Sequence, residues 1–281
     1  MASNLTQTYK PTLLQRLLGR NYKWWYIVRY YYKAQLYYRT NSFLLVTSQV
    51  VGFGGSLLVW YLAAQGNPNY NIKEIITYLW LGFGYGSLVS SWLSEDLGFE
   101  IQTGKITGKL MQPTSIFWAN FCEFIGKSLM GEFSIALLPL ILSLPIVWSQ
   151  LLPPSSLINF LLMFLFIPIT FFIKHCVETL VGSVGFWSTS YNGAVSAKSA
   201  VAFILEGGKI PLSVLVTFVP WIIYQPFAFN LHHPMQIYLG KYTSIETLYV
   251  FGGGIGWCLV LYFLAKVVFR AGLKKNESVG L

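Results

Sequence analysis

LINFLLMFLFIPITFFIKHCVETLVGSVGFW, residues 157–187, decides which solvent this chain is made for. Its first seventeen residues, up to Ile173, carry no charge. The stretch is longer than the roughly 20 residues a helix needs to cross a hydrocarbon core of about 30 Å. Lys174 and Glu178 enter only in its later part, four residues apart and so on one helical face. A charge at mid-bilayer costs about 2.5–3.5 kcal/mol on insertion scales. The two are therefore expected to neutralise one another, near the inner interface or toward the bundle interior.

Five further apolar stretches lie outward from this one: 43–64, 74–93, 133–152, a short one at 196–209, and 245–269. The whole chain is 54% hydrophobic and 10% charged, against about 25% charged for soluble domains. Its 281 residues fill one bundle and leave no room for a separate soluble domain. The expected fold class is all-α integral membrane. It has six transmembrane helices, an N-terminal cytoplasmic amphipathic helix, and a broken, re-entrant segment between spans five and six. Three prolines, Pro211, Pro220 and Pro226, interrupt the hydropathy peak there. Each lacks a backbone donor and clashes with the preceding turn. Irregular backbone at membrane depth is tolerated only where protein or a cavity surrounds it. A re-entrant pair of half-helices is expected over 210–234, although Lys198, Glu206 and Lys209 near span five count against that layout.

Charge sets the orientation. Lys10, Arg16, Arg20, Lys23, Arg29, Lys33 and Arg39 precede the first span, and no acid occurs before Glu74. Arg270, Lys274 and Lys275 follow the last. Positive flanks stay inside, so both termini are expected in the cytoplasm, with an even number of spans between. Within residues 1–42, the stretch 22–40 holds nine Tyr or Trp and four Lys or Arg. Rings and cations together suit the headgroup layer, which makes Trp24, Trp25, Arg29 and Lys33 the expected interfacial anchors. The first twenty residues contain no apolar core, so a retained first span is expected rather than a cleaved signal. Asn67-Pro68-Asn69 and Pro153-Pro154 read as external turns. The segment 94–115, with three acids, two Lys and Pro113, must lie outside the lipid on the cytoplasmic side. Residues 116–131, with Glu123 and Lys127 four apart and Glu132 just beyond, are expected at the same surface. Residues 270–281 form a cytoplasmic tail.

No chemical motif is complete. Gly126-Lys127-Ser128 ends like a phosphate-binding loop, but position 121 is Phe where Gly is required. Gly104-Lys105 and Gly208-Lys209 fail in the same way, so the chain does not bind ATP by that route. Cys122, Cys176 and Cys258 have no redox or metal spacing. His175, His232 and His233 lack companion ligands, so no metal site is expected. Gly182-Ser183-Val184-Gly185 lacks the first Gly of a nucleophile elbow. The basic charge does not indicate nucleic acid in so apolar a body.

The loop Glu100-Ile-Gln-Thr-Gly-Lys-Ile106, followed by Leu110-Met-Gln-Pro-Thr-Ser115, resembles the loop between the second and third spans of ABC-2 type ABC transporter permeases. A later series is similar to a subfamily of ABC-2 exporter permeases: Phe186-Trp187, Gly207-Gly208, Pro211, Pro220-Trp221, Pro226-Phe227, Pro234 and Ile237-Tyr238-Leu239-Gly240. Gln112 and the polar stretch 188–198 depart from the pattern. The resemblance covers nearly the whole chain. It implies a permease of a bacterial inner (cytoplasmic) membrane, working as a dimer with a second copy or a related permease. Two ABC ATP-binding subunits would dock beneath. No cofactor is expected in this chain; ATP and Mg would sit on the partner subunits. Membrane lipid is the remaining partner, and nucleic acid is not. By the same resemblance 94–115 carries the coupling helix, with Glu95, Asp96, Glu100 and Lys105 in polar contacts and Gly104 and Pro113 setting turns. Gly207, Gly208, Pro211, Pro220, Trp221, Pro226 and Phe227 would form the outer gate, with Trp221 and Phe227 as apolar plugs.

The expected function is therefore the permease subunit of an ATP-driven ABC exporter, with no enzyme activity of its own. Two other classes stay open. An ion-coupled secondary transporter or channel would use Glu123, Lys174 or Glu178. A membrane-embedded enzyme would depend on His175, His232 or Ser183.

Overall fold

The computed structural model describes residues 19–35, 39–65, 71–90, 92–129 and 133–279. The expected turn at 67–69, Glu132, residues 1–18 of the basic segment and the last two residues of the tail lie outside them. Among the described residues every regular element is helical, with no strand. The helices are α1 (Tyr22–Gln35), α2 (Arg39–Gln65), α3 (Ile72–Leu88), α4 (Leu93–Gln102), α5 (Ile106–Leu110), α6 (Ile116–Lys127) and α7 (Phe133–Val147). They continue with α8 (Leu157–Leu165), α9 (Ile167–Gly182), α10 (Asn192–Leu205), α11 (Leu212–Leu215), α12 (His232–Tyr238) and α13 (Ser244–Val279).

Among the described residues, three stretches are long and apolar enough to cross a membrane by length and composition: Phe133–Gln150, Leu157–Phe186 and Ser244–Lys275. The second contains the uncharged run 157–173. It is two helices joined at Phe166, where Pro168 sits in the first turn of α9, a position that needs no backbone donor. Large apolar side chains cover the outside of these rods. Leu157, Ile158, Leu161 and Leu165 on α8 are all more than half exposed. Water would penalise such a surface at about 25 cal/mol per Å², whereas lipid does not.

The rods pack by direction. α9 and α13 run parallel, with Gly254 beside Phe166 and Ile169 near one end and Gly272 against Phe186 near the other. Between these points Ile173, Cys176, Leu261 and Ala265 form one buried cluster. α2 and α3 are antiparallel, with Phe53 stacked on Phe83 at 4.2 Å. A second cluster joins α3 through Tyr78, Leu79 and Tyr85 to Phe124 of α6, Phe171 of α9 and Met235 of α12. At the basic end of α13, Leu97, Ile101, Ile106 and Ile116 pack with Phe186 and Phe269. That apolar floor fixes α4, α5 and the start of α6 beneath the rods. α1 lies along α6 so closely that a methyl group on Gly126 would come 2.5 Å from the Val28 carbonyl oxygen.

Two expectations need correction. The short fifth helix covers 192–205 rather than 196–209, because Glu206 and Gly207 end it. Gly207 adopts φ +83°, where a side chain would be strained. The segment after it is also not a pair of half-helices. The single turn of α11 is followed by two 3-10 turns, Pro220–Ile223 and Pro226–Asn230, and then by α12. Each 3-10 turn begins with its proline, which supplies the fixed φ but cannot extend a helix backward. Side chains tie the irregular backbone in place. Gln225 Nε2 donates to the Leu205 carbonyl at 2.8 Å, and Gln225 Oε1 accepts from the Phe227 N–H at 2.6 Å. His233 lies between the Tyr242 hydroxyl at 2.8 Å and the Ile223 carbonyl at 2.9 Å.

Candidate functional site

An open-sided crevice of about 390 Å³ lies between α3, α9 and α10. Its α3 side presents the small residues Gly82, Gly86 and Ser87 beside Phe83, with Ser90 just past the helix end. Its other wall is a ladder of charges. Near the basic end Lys198 Nζ lies 2.7 and 2.9 Å from the two Glu178 carboxylate oxygens and donates to Ser94 Oγ at 3.0 Å. The Ser94 N–H donates to Glu178 Oε2 at 3.0 Å. One turn along α9, Lys174 reaches Glu206 at 3.4 Å, and Asn230 Nδ2 donates to the same oxygen at 2.9 Å. Lys174 and Glu178 therefore do not neutralise each other as their spacing suggests. Each crosses to α10 or its end, because a lateral partner closes the ladder between helices while an i, i+4 partner would not. Asn230 is 2% exposed and its Oδ1 has no partner among the described residues. Lys209 lines the same space without an ion pair among the described residues.

A second cavity, about 570 Å³, continues along α3 toward its N-terminus. It is bounded by Asn71, Glu74, Ile75 and Tyr78 on that helix and by Pro211 and Gln236 opposite. The two spaces thus follow one another on a single helix, the first from Gly82 onward and the second up to Tyr78. Between them the chain is tight. A methyl group on Gly82 or Gly208 would lie 3.5 or 3.3 Å from Leu231, and one on Gly207 would lie 2.6 Å from the Tyr78 hydroxyl. Trp60 of α2 holds this bend from the side, donating to the Lys209 carbonyl at 2.7 Å.

The expected gate residues divide between these spaces. Gly208 and Phe227 line the first cavity and Pro211 the second. Gly207 is at the bend, and Pro220 and Pro226 start the 3-10 turns. Trp221 is 71% exposed and lines neither cavity. Tyr78 and Leu231, which the sequence reading missed, are the side chains at the constriction. Their only sequence signal was the glycine spacing opposite them.

The expected coupling loop folds into α4, a turn, α5 and the start of α6. Gly104 adopts φ +72° and ends α4, with the Thr103 N–H bonded to the Phe99 carbonyl. Pro113 lies in the bend before α6. The acids are engaged inside the chain. Asp96 pairs with Lys127 at 2.7 Å, and Glu100 with Lys109 at 2.8 Å. Glu123, 3% exposed, bridges both lysines at 2.6 and 3.2 Å, while Asn120 accepts from Lys109 at 3.1 Å. Burial acts to raise the Glu123 pKa, but the two lysines outweigh it and hold the carboxyl below its usual range. The same contest leaves Lys127 above its usual range, since Glu123 and Asp96 outweigh its own desolvation. Glu95 faces the charged crevice instead, and partial burial raises its pKa despite nearby Lys198. Lys105 lies over the Phe99 ring at 4.8 Å. The loop exposes three large apolar side chains, Phe99, Leu110 and, at 81% exposure, Met111, among exposed polar residues that include Gln102, Lys105, Thr107 and Gln112. On α1, Trp25, Arg29 and Lys33 are exposed and Trp24 sits under Lys23.

Of the residues named for the other two functional classes, Lys174 and Glu178 line the crevice, whereas those of an embedded enzyme lie elsewhere. His175 is fully buried among Phe117, Phe121 and Phe124, and the Ser183 hydroxyl donates to the Thr179 carbonyl at 2.6 Å. Neither they nor His232 lines a cavity described here. Among the described residues no group of His, Cys, Asp and Glu could hold a metal ion.

Compared with known proteins, residues 50–280 match the model of a family described as ABC-2 family transporter protein. Neither the curated proteins nor the solved structures contain a match.

Proposed function

The chain belongs to the ABC-2 family of transporter proteins, and from that premise we propose that it is the membrane permease subunit of an ATP-driven exporter. The observation that carries the proposal is the pair of cavities laid end to end along α3 and interrupted at Tyr78, Gly207 and Leu231. A route of that kind, polar inside an apolar body, suits a cargo that crosses rather than a group that reacts. Six passes serve the reading: α2, α3, α7, the α8–α9 rod, α10 and α13, with α1 and α4–α6 at the cytoplasmic face. The permease works as a dimer, with a second copy or a related permease across the open side of the crevice. Two ATP-binding subunits, carrying ATP and Mg, dock against α4–α6. The protein sits in the cytoplasmic membrane of a bacterium with both termini inside.

The coupling role rests on how the loop is held. Asp96 and Glu100 brace α4 against α5 and α6, and the outward Phe99, Leu110 and Met111 meet the ATPase. A braced loop transmits nucleotide-driven closure as a rigid body, whereas a loose one would absorb it. Cargo enters along the Glu178–Lys198 and Lys174–Glu206 ladder and passes the bend as Leu231 withdraws from Gly82 and Gly208.

The test is gentle extraction from the native membrane followed by mass spectrometry of what co-purifies. A stoichiometric partner with a phosphate-binding loop, and ATPase activity in the complex, is the expected result; a second permease among the partners decides homodimer against heterodimer. Deletion of 100–106 should abolish ATP-driven transport while the protein still inserts. Repeated purification under milder conditions without any ATP-binding partner would overturn the proposal.

A further inference from the structure

A third cavity lies away from the proposed route. It measures about 300 Å³ and sits where the last turns of α13 meet the start of α6. Tyr262, Lys266, Phe269, Arg270 and Leu273 line it from one face of α13, at helical spacing. Thr114, Ser115 and Trp118 close it from the other side. No carboxylate lines it. Lys266 and Arg270 form no ion pair among the described residues, although most described acids are paired elsewhere. Lys266 Nζ lies 5.6 Å from the Tyr262 ring centre, and so is held over the cavity wall by a ring rather than by an acid.

Its depth narrows the occupant. The cavity is at the end of the 244–275 span, one to two turns before Lys274 and Lys275. Beside it on α13, Phe263, Leu264 and Val267 are exposed. Two cations without an ion pair and the Thr114 and Ser115 hydroxyls therefore meet an apolar strip that runs back along α13. A soluble anion would use the cations and leave the strip empty. A cation or a neutral headgroup would leave both charges unmet.

We infer that this groove binds an anionic phospholipid from the leaflet at the basic end of α13. The lipid phosphate lies between Lys266 and Arg270 and accepts from the Thr114 or Ser115 hydroxyl, and an acyl chain follows Phe263 and Val267. Bound there, the lipid bridges α13 to α6, the helix that carries Glu123 and Lys127. The site is independent of the cargo and of the proposed export cycle.

The experiment uses the full-length protein in a neutral detergent. Native mass spectrometry counts retained lipid after addition of phosphatidylglycerol, phosphatidylcholine or inorganic phosphate, and thermal unfolding reads protection. Wild type should keep one phosphatidylglycerol and be stabilised by it, with little response to the other two. In K266Q/R270Q the apparent affinity for phosphatidylglycerol should fall about thirtyfold, from roughly fivefold per surface cation. K23Q/R29Q, which removes two cations on α1, should leave it within about twofold. If the double variant does not fold, R270Q alone, at an exposed position, should show the fivefold part. Equal losses in the two double variants would mean diffuse charge attraction and would overturn the site. Equal protection by inorganic phosphate would mean an anion site without a lipid. Loss of co-purifying ATPase with lipid retention unchanged would make the groove a protein contact instead.

Discussion

Glu123→Gln tests the buried charge cluster most directly, because the replacement keeps the shape of the side chain and removes only its charge. Glu123 holds Lys127 at 2.6 Å and Lys109 at 3.2 Å, and the residue is 3% exposed. Stranding one member of a buried pair costs about 3–5 kcal/mol. Here neither lysine is stranded, since Lys127 keeps Asp96 at 2.7 Å and Lys109 keeps Glu100 at 2.8 Å. The loss is then that of two charged hydrogen bonds at about 1.5–3 kcal/mol each, less what the Gln oxygen still accepts, or about 2–3 kcal/mol. At about 2–4 °C per kcal/mol for a chain of this size class, the unfolding midpoint should drop by about 5–10 °C. The control is Glu74→Gln, whose partner Lys241 has a side chain 43% exposed. An exposed pair is worth less than about 1 kcal/mol, so that midpoint should move by under about 4 °C. Both variants are followed by tryptophan fluorescence in one detergent at one scan rate, because irreversible unfolding makes the midpoint depend on rate. Equal shifts, or a Glu123→Gln midpoint within 2 °C of wild type, would refute the claim that this cluster holds α4, α5 and α6 together.

The same cluster sets a pH window. The Glu123 carboxyl is held below its ordinary 4.5, so its stabilisation is full above that value and is lost as pH falls through the lowered one. Lys127 is held above 10.5, so its share is full below that value and is lost only as pH rises through the raised one. Midpoints measured from pH 3 to 11 should therefore be flat in the middle and fall at both ends, with the acid limb weaker in Glu123→Gln. Gly126→Leu should force α1 from α6 and make the bonds after Lys23, Arg29 and Lys33 more sensitive to trypsin; an unchanged cleavage rate would contradict the close packing at Val28. Leu231→Ala should let a small dye leak through proteoliposomes without ATP, and Leu231→Trp should slow ATP-driven export. Both variants behaving as wild type would remove Leu231 from the constriction.

What the sequence made legible followed from local rules. The uncharged run from Leu157 to Ile173 could only be a rod in lipid, although the change of helix at Phe166 was not read from it. Pro211, Pro220 and Pro226 marked a broken segment. They said where helix must stop, but not that the chain would turn on 3-10 steps, which depends on Gln225 and His233 reaching carbonyls across it. Lys174 and Glu178 show the limit of spacing. Four residues apart guarantees proximity on one helix, but it says nothing about a better partner on the next. Glu123 and Lys127 have the same spacing and do pair, because α4 and α5 bring Asp96 and Glu100 to complete the set. The difference is tertiary, and Lys109, Lys198 and Glu206 carry no local mark of their roles.

The two charge arrays also differ in what surrounds them, and this divides their work. Around Glu123 two carboxylates besides its own, two lysines and Asn120 meet under the apolar floor of Ile101, Ile106 and Ile116, with the cluster's contacts made inside the chain. Moving it would break several short contacts at once, so it suits a part that must travel as one piece. Along the crevice Lys174 and Lys198 each have one acid, Lys209 has no ion pair and Asn230 Oδ1 no partner among the described residues, and the wall opposite is glycine and serine beside Phe83. Those pairs can exchange a partner for a passing polar group at modest cost, because water or cargo replaces what is given up. A transporter needs both kinds of array, one that keeps its geometry while force passes through it and one that yields locally. Substitutions that keep charge but change reach, such as Glu178→Asp, should therefore alter transport more than folding. Glu123→Asp should do the reverse, lowering the unfolding midpoint while leaving the charge of the route unchanged.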